Sequence, residues 1–182
     1  QARSKQRVGW VERPDAIHIL IKIAVTGGVL SLADAVDSPQ LTQAEVDAIV
    51  SEAHDLGRKT AAHAHGAEGA KRAIRAGIDS IEHGTFLDDE ALAMMKQKGT
   101  YLIPTLMAHQ GLKEQMADAK AMAPAVRAKA VQAGLSIEAT FRKALAMGVR
   151  IGLGTDAGVY PHGRNAEEFH QMVDLGMRPV EA

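Results

Sequence analysis

Apolar residues recur along this chain in two textures, short continuous runs and longer stretches at helical spacing, and their alternation predicts strands and helices in turn. Ile17 to Val25 is a run rich in β-branched residues, interrupted by His18 and Lys22 and closed by Thr26-Gly27-Gly28, the pattern of a buried parallel strand. Thr42, with Glu45 three residues later, forms a capping-box pattern, after which Val46, Ile49, Val50, Ala53 and Leu56 return at helical spacing as far as Gly57. The cycle then repeats. Strands are predicted over Lys59 to His63, Ser80 to His83 and Tyr101 to Thr105, and helices over Ala67 to Ala76 and Asp88 to Lys98, each helix stopped by a glycine. From Ala108 to Gly148 the spacing is helical, with a break at Ala123-Pro124. Val149 to Gly154 predicts a last strand, and Glu167 to Leu175 a last helix.

Five strands separated by helices favour an α/β fold with parallel strands. A doubly wound sheet and part of a (β/α)8 barrel both fit this order. No linker or shift in composition divides the chain, so residues 1–182 read as a single domain. A complete barrel takes about 250 residues, and 182 is short for one.

Composition narrows the function classes. With 46% hydrophobic residues the chain has the makings of a sizeable core, and a formal net charge of -1 gives no electrostatic reason to invoke nucleic acid or an acidic membrane. The expected partner is a small molecule, with self-association as a homo-oligomer left open. Cysteine is absent, which excludes disulfides and thiolate ligands, so any metal must be held by His and carboxylates. No apolar stretch approaches the roughly 20 residues needed to cross a bilayer and no signal-peptide pattern opens the chain, so a cytoplasmic location is expected. Gln1 is not an initiator Met, and the natural N-terminus is not visible.

In parallel α/β folds ligands gather at the carboxyl ends of the strands, where the loops converge on one face. Polar residues closing apolar runs are therefore the ones to weigh, and four do so: Lys22, His63, His83 and Asp156. Neutral imidazoles on neighbouring strands, such as His63 and His83, can chelate a divalent metal. Asp156 offers a hard carboxylate ligand or a general base. Lys22 stands within Ile-Leu-Ile-Lys-Ile, where a charged amine must reach solvent, pair with a carboxylate or lose its proton. A neutral amine can combine with carbon dioxide, and the resulting carbamate suits the bridging of two metal ions. A lysine snorkelling at a strand end is the plainer alternative.

Ile21-Lys22-Ile23 leading into Thr26-Gly27-Gly28, then Ala62-His63-Ala64-His65, Ser80-Ile81-Glu82-His83-Gly84 and Gly154-Thr155-Asp156-Ala157-Gly158, together resemble the amidohydrolase superfamily. The likeness is greatest to its imidazolonepropionase-like and Xaa-Pro dipeptidase (prolidase) branch, and runs from about Ile19 to Ala182. The resemblance implies a (β/α)8 barrel carrying one or two divalent metals, commonly zinc. It implies that Lys22 is the carboxylated lysine of the fourth strand, His63 and His83 are the ligands of the fifth and sixth, and Asp156 follows the eighth. Lys22 favours the binuclear, prolidase-like subgroup. The family's His-x-His pair does not precede Lys22, so strands four to eight are expected here, with the barrel incomplete at the N-terminus and at the C-terminus.

The implied reaction is hydrolysis of an amide bond in a dipeptide, an N-acyl amino acid or a cyclic amide by a metal-activated water. Asp156 would carry the proton from that water to the departing amine. His65, His162 and Asn165 are candidate substrate-binding residues, His18 reads as a core or rim residue, and His54, His109 and His170, in helical text, read as surface residues. A catalytically inactive partial barrel, serving as a binding or assembly module, is the alternative function, and a barrel completed by a second polypeptide is a third. Gly27-Gly28 lacks a G-x-G-x-x-G pattern and no Gly-Lys-Ser/Thr occurs, which argues against a nucleotide site.

Overall fold

The computed structural model describes residues 20–32, 34–117 and 122–182. His18 and most of the segment before Lys22 lie outside them. Four parallel strands, β1 (Leu20–Ala24), β2 (Lys59–Gly66), β3 (Ser80–Phe86) and β4 (Tyr101–Ile103), pair in the order in which the chain makes them. A doubly wound sheet reverses its strand order at a switch point. Among the described residues the sheet has no reversal, and its sequential winding is that of a barrel arc.

Helices return the chain between strands. The segment α1 (Gln43–Asp55) starts at Thr42, whose hydroxyl accepts from the Glu45 amide while the Glu45 carboxylate accepts from the Thr42 amide. Thus the capping box is formed as predicted. The elements α2 (Ala67–Ala76) and α3 (Asp89–Lys98) end at Gly77 and Gly99, both left-handed, a backbone region that disfavours a side chain. The long helical stretch is divided into α4 (Leu106–Gln115) and α5 (Pro124–Met147), the latter opening with proline at its first position. The last helix is α6 (Glu167–Asp174).

Strand register separates a packing face from a chemical face. Ile23, Ala62 and Ile81 are aligned across β1, β2 and β3, and Ile81 is aligned with Leu102 of β4. These residues pack with Val46 and Val50 of α1, Ala73 and Ile74 of α2, and Leu92 and Met95 of α3 in the main apolar core. Side chains alternate along a strand, so the neighbouring positions, Lys22 with Ala61 and Ala24 with His63, face the other way. That second face carries the polar residues.

The predicted strand over Val149 to Gly154 is a single parallel bridge, Ile151 to Leu102, flanked by hydrogen bonds from the Leu102 amide to the Arg150 carbonyl and from the Gly152 amide to the Leu102 carbonyl. Gly152 and Gly154 lie against the Ile103 side chain, where a Cβ would collide. The apolar run is real, but its glycines serve close approach to β4 rather than an extended ladder.

Candidate functional site

His63 and His65 stand two residues apart on β2 and so share its chemical face. His83 is paired in register with Ala64, which points to the opposite face. A register shift between Ala64 and Gly66 and a positive φ of 69° at His83 re-aim its ring. The three imidazoles meet with centroids 4.7, 4.7 and 4.8 Å apart. One nitrogen from each lies within 4.8 Å of the others, a grouping able to hold a metal ion.

Each ring is oriented by a hydrogen bond from its own strand's neighbours. His63 Nε2 donates to the Gly27 carbonyl oxygen at 3.2 Å. The Nδ1 atoms of His65 and His83 share hydrogen bonds of 2.7 Å with Thr85 Oγ1 and Thr105 Oγ1. The His65 amide donates to Thr26 Oγ1 at 2.9 Å. Engaging one ring nitrogen fixes the orientation of the other, which is how imidazole ligands are held ready for a metal.

Burial sets the protonation of this cluster. It lowers the pKa of His63, with the Lys22 charge adding to the effect and the Gly27 carbonyl and Asp156 opposing it. Burial, together with His63, brings His65 down to about 3. His83 falls well below the ordinary histidine value because it is buried, with His65, His63 and Lys22 contributing. All three rings are therefore neutral near pH 7, and a neutral imidazole keeps one of its two ring nitrogens unprotonated.

A cavity of about 770 Å³ lies over the cluster and is also lined by Lys22, Thr85, Thr105 and Asp156. Lys22 and Asp156 are exposed at its rim, whereas His65 and His83 are buried. Among the described residues, the non-glycine residues with positive φ are His83, Thr105 and Asp156, at 69°, 50° and 52°, and all three line this cavity. Such a backbone is rare for a β-branched residue like Thr105, and strain of this kind persists where surrounding structure fixes it, typically at functional sites.

His162 and Asn165 do not line the cavity. His162 is exposed. Asn165 is held within its loop, its amide donating to Thr155 Oγ1 and its oxygen accepting from the Gly163 amide, both at 3.3 Å. His54 bonds Asp79 at 3.0 Å on the surface, and His170 is exposed. His109 corrects the reading of helical text as surface, because its ring lines the cavity. Sequence reasoning also passed over Thr85, Thr105 and Glu168. Thr85, near the end of β3, and Thr105, just past β4, stand at the same sheet end as the histidines, a signal the sequence carries. Glu168 is completely buried on α6, and its Oε1 and Oε2 accept from the Leu106 and Met107 amides at 2.8 Å each, capping α4. Burial pushes its carboxyl up to about 7 against the pull of those amides.

An arc of parallel strands thus gathers neutral imidazoles, a lysine and an aspartate around one cavity. Residues 2–182 match the amidohydrolase family, and the chain belongs to it. It is 35% identical over 173 residues to ochratoxinase from Aspergillus niger, covering 90% of this chain and 33% of that protein. The crystal structure of A. niger ochratoxinase superposes with a TM-score of 0.78 at 33% identity, over 89% of this chain and 36% of that one. A Xaa-Pro dipeptidase crystallised with methionine in its active site gives a TM-score of 0.83 at 55% identity, over 86% of this chain and 39% of the other. A prolidase complexed with N-methylphosphonate-L-proline gives 0.80 at 29% identity, covering 89% of this chain and 40% of the other. The chain thus spans about a third of the curated relative's length, and its sheet is a partial (β/α)8 barrel.

The donor set fits a divalent metal. Three neutral imidazoles with oriented rings, no competing thiolate, and a carboxylate within the same cavity are the ligand chemistry of zinc and similar ions.

Proposed function

We propose that this chain forms the catalytic part of a metal-dependent hydrolase that cleaves an amide bond in a dipeptide, an N-acyl amino acid or a cyclic amide. The observation that carries this reading is the cluster of three neutral histidines, two of them buried and His63 half-buried, beneath a cavity whose rim carries Lys22 and Asp156. The similarity to a Xaa-Pro dipeptidase and to ochratoxinase supports an amide as the substrate. Residues Lys22, His63, His83 and Asp156 are the proposed metal ligands, with Lys22 carrying a carbamate where two zinc ions are held. Bound metal supplies Lewis acidity and brings the pKa of a water molecule towards neutrality.

The remaining chemistry belongs to side chains. Asp156 accepts the proton of the attacking water and returns it to the departing amine nitrogen, so its carboxylate acts first as base and then as acid. Its place at the exposed rim leaves it open to both water and substrate. His65, oriented through Nδ1 by Thr85, directs its other nitrogen towards the scissile carbonyl oxygen and polarises it by N–H donation. His162 and Asn165 are proposed to touch the part of the substrate that projects beyond the cavity.

The test compares Asp156→Asn with the wild-type full-length protein on a panel of dipeptides and N-acyl amino acids. A loss of about 10²–10⁴-fold in kcat is expected for a proton carrier of this kind. Near-normal turnover in Asp156→Asn removes the assignment, and an absence of turnover in the wild type favours a binding module instead.

A further inference from the structure

His109 lies in the first half of α4, and its ring lines both the cavity over the histidine cluster and a second cavity of about 290 Å³. The second space is bounded by Lys113, Met116, Val131, Gly134, Leu135 and Glu138. One imidazole is therefore a partition between two volumes. It rests on α5 at Gly134, where an added Cβ would overlap ring atoms Cε1 and Nε2 and come within 2.7 Å of Nδ1. Glycine in the interior of a 24-residue helix weakens it. The close seating of His109 gives that glycine a structural reason.

No polar bond holds the ring at its Nδ1 edge, because that nitrogen is buried without a hydrogen-bond partner. Packing against Gly134 keeps it in place. Around it the α4–α5 side of the first cavity is apolar, formed by Ala108, Leu112, Ala133 and Ile137. The cavity thus has a polar end, with the histidine cluster, and an apolar end that stops at His109.

We propose that His109, seated on Gly134, is a specificity-determining wall that sets how large an apolar side chain the substrate can carry at the α4–α5 end of the cavity. This rests on the amide-hydrolase reading for the kind of substrate. The class it names is a dipeptide or N-acyl amino acid with an apolar side chain of moderate size lying along Ala108, Leu112, Ala133 and Ile137. Removal of the ring joins the two cavities and admits a longer side chain. Displacement of the ring from α5 shortens the space.

The test uses the full-length zinc-loaded protein with Ala-Pro, Leu-Pro and Trp-Pro. Both kcat/KM and, by calorimetry on the same dipeptides, Kd are measured for the wild type, His109→Ala, Gly134→Ala and the double variant. Relative to Ala-Pro, His109→Ala is expected to improve Trp-Pro by about tenfold, and Gly134→Ala to weaken Leu-Pro and Trp-Pro by about tenfold. The double variant lacks the ring that the new methyl would displace, so it follows His109→Ala. A ratio that stays within about threefold of wild type in both single variants, or a double variant that keeps the Gly134→Ala loss, overturns the proposal. If Gly134→Ala fails to give a cooperative thermal melt, the His109→Ala ratio decides alone. A size-dependent Kd that shifts as described without hydrolysis supports the wall and removes the hydrolase reading, whereas dipeptides that neither bind nor react overturn the wall.

Discussion

The middle of the sheet and its margins treat their polar residues differently. On β2 and β3, which have a strand on either side, His65 and His83 are buried, oriented by threonine hydroxyls and held neutral. Lys22, on β1, and Asp156, after the single bridge at Ile151, are exposed at the cavity rim in this part of the barrel. In this part of the barrel the threonine-oriented rings are buried, and the two rim residues are reached by solvent. A neutral imidazole needs burial to keep its lone pair free, while a proton carrier needs access to water, so the division matches the two tasks.

The sharpest way to break this contrast is His83→Ala, which removes one of the two buried rings. In the full-length protein it is expected to lower turnover by about 10³-fold or more and to reduce bound zinc, read by steady-state kinetics and elemental analysis. A variant that keeps both would place the chemistry elsewhere.

Glu168 sharpens the comparison from the margin, because it is a fully buried anchor of α6 at the start of α4. Its folded pKa, about 7, lies above its ordinary value of 4.5, so the folded state binds the extra proton between those pH values. The stabilisation is complete below about pH 4.5 and is lost as pH rises through 7, a change of about 3 kcal/mol at most. Chemical denaturation of wild type against Glu168→Gln at several pH values is expected to show that difference growing across this window. The buried histidines titrate with the opposite sign in the same range, and they cancel in the comparison. A pH-independent difference would contradict the assigned cause.

The smallest of these effects concerns Thr105, whose hydroxyl orients His83 from a left-handed backbone. Thr105→Gly keeps that backbone accessible and deletes the hydroxyl. Zinc affinity, measured by competition with a chelator, is expected to fall by about 10–100-fold while the fold persists.

Much of this architecture was legible in local chemistry. Thr42 with Glu45, Gly77, Gly99 and Pro124 marked helix boundaries because caps and breakers act within a few residues. The apolar runs closed by His63 and His83 mark two of the strands, but the strands run on to Gly66 and Phe86, beyond those histidines. Polar residues had hidden the continuation, since a ligand-bearing strand face breaks the apolar run. His109 was illegible for a different reason: its neighbour is Gly134, on another helix, and helical spacing on α4 says nothing of what α5 places against it. Glu168 was hidden likewise, because its partners are backbone amides of Leu106 and Met107.

The most direct measurement is turnover of the full-length protein on a cleavable dipeptide before chelation, after removal of metal, and after stoichiometric zinc is returned. About one or two zinc ions per chain, activity lost with the metal and restored with it, are the predicted result. Undiminished hydrolysis by protein holding less than about 0.1 metal per chain would contradict the proposal that His63, His83, Lys22 and Asp156 form a hydrolytic metal centre.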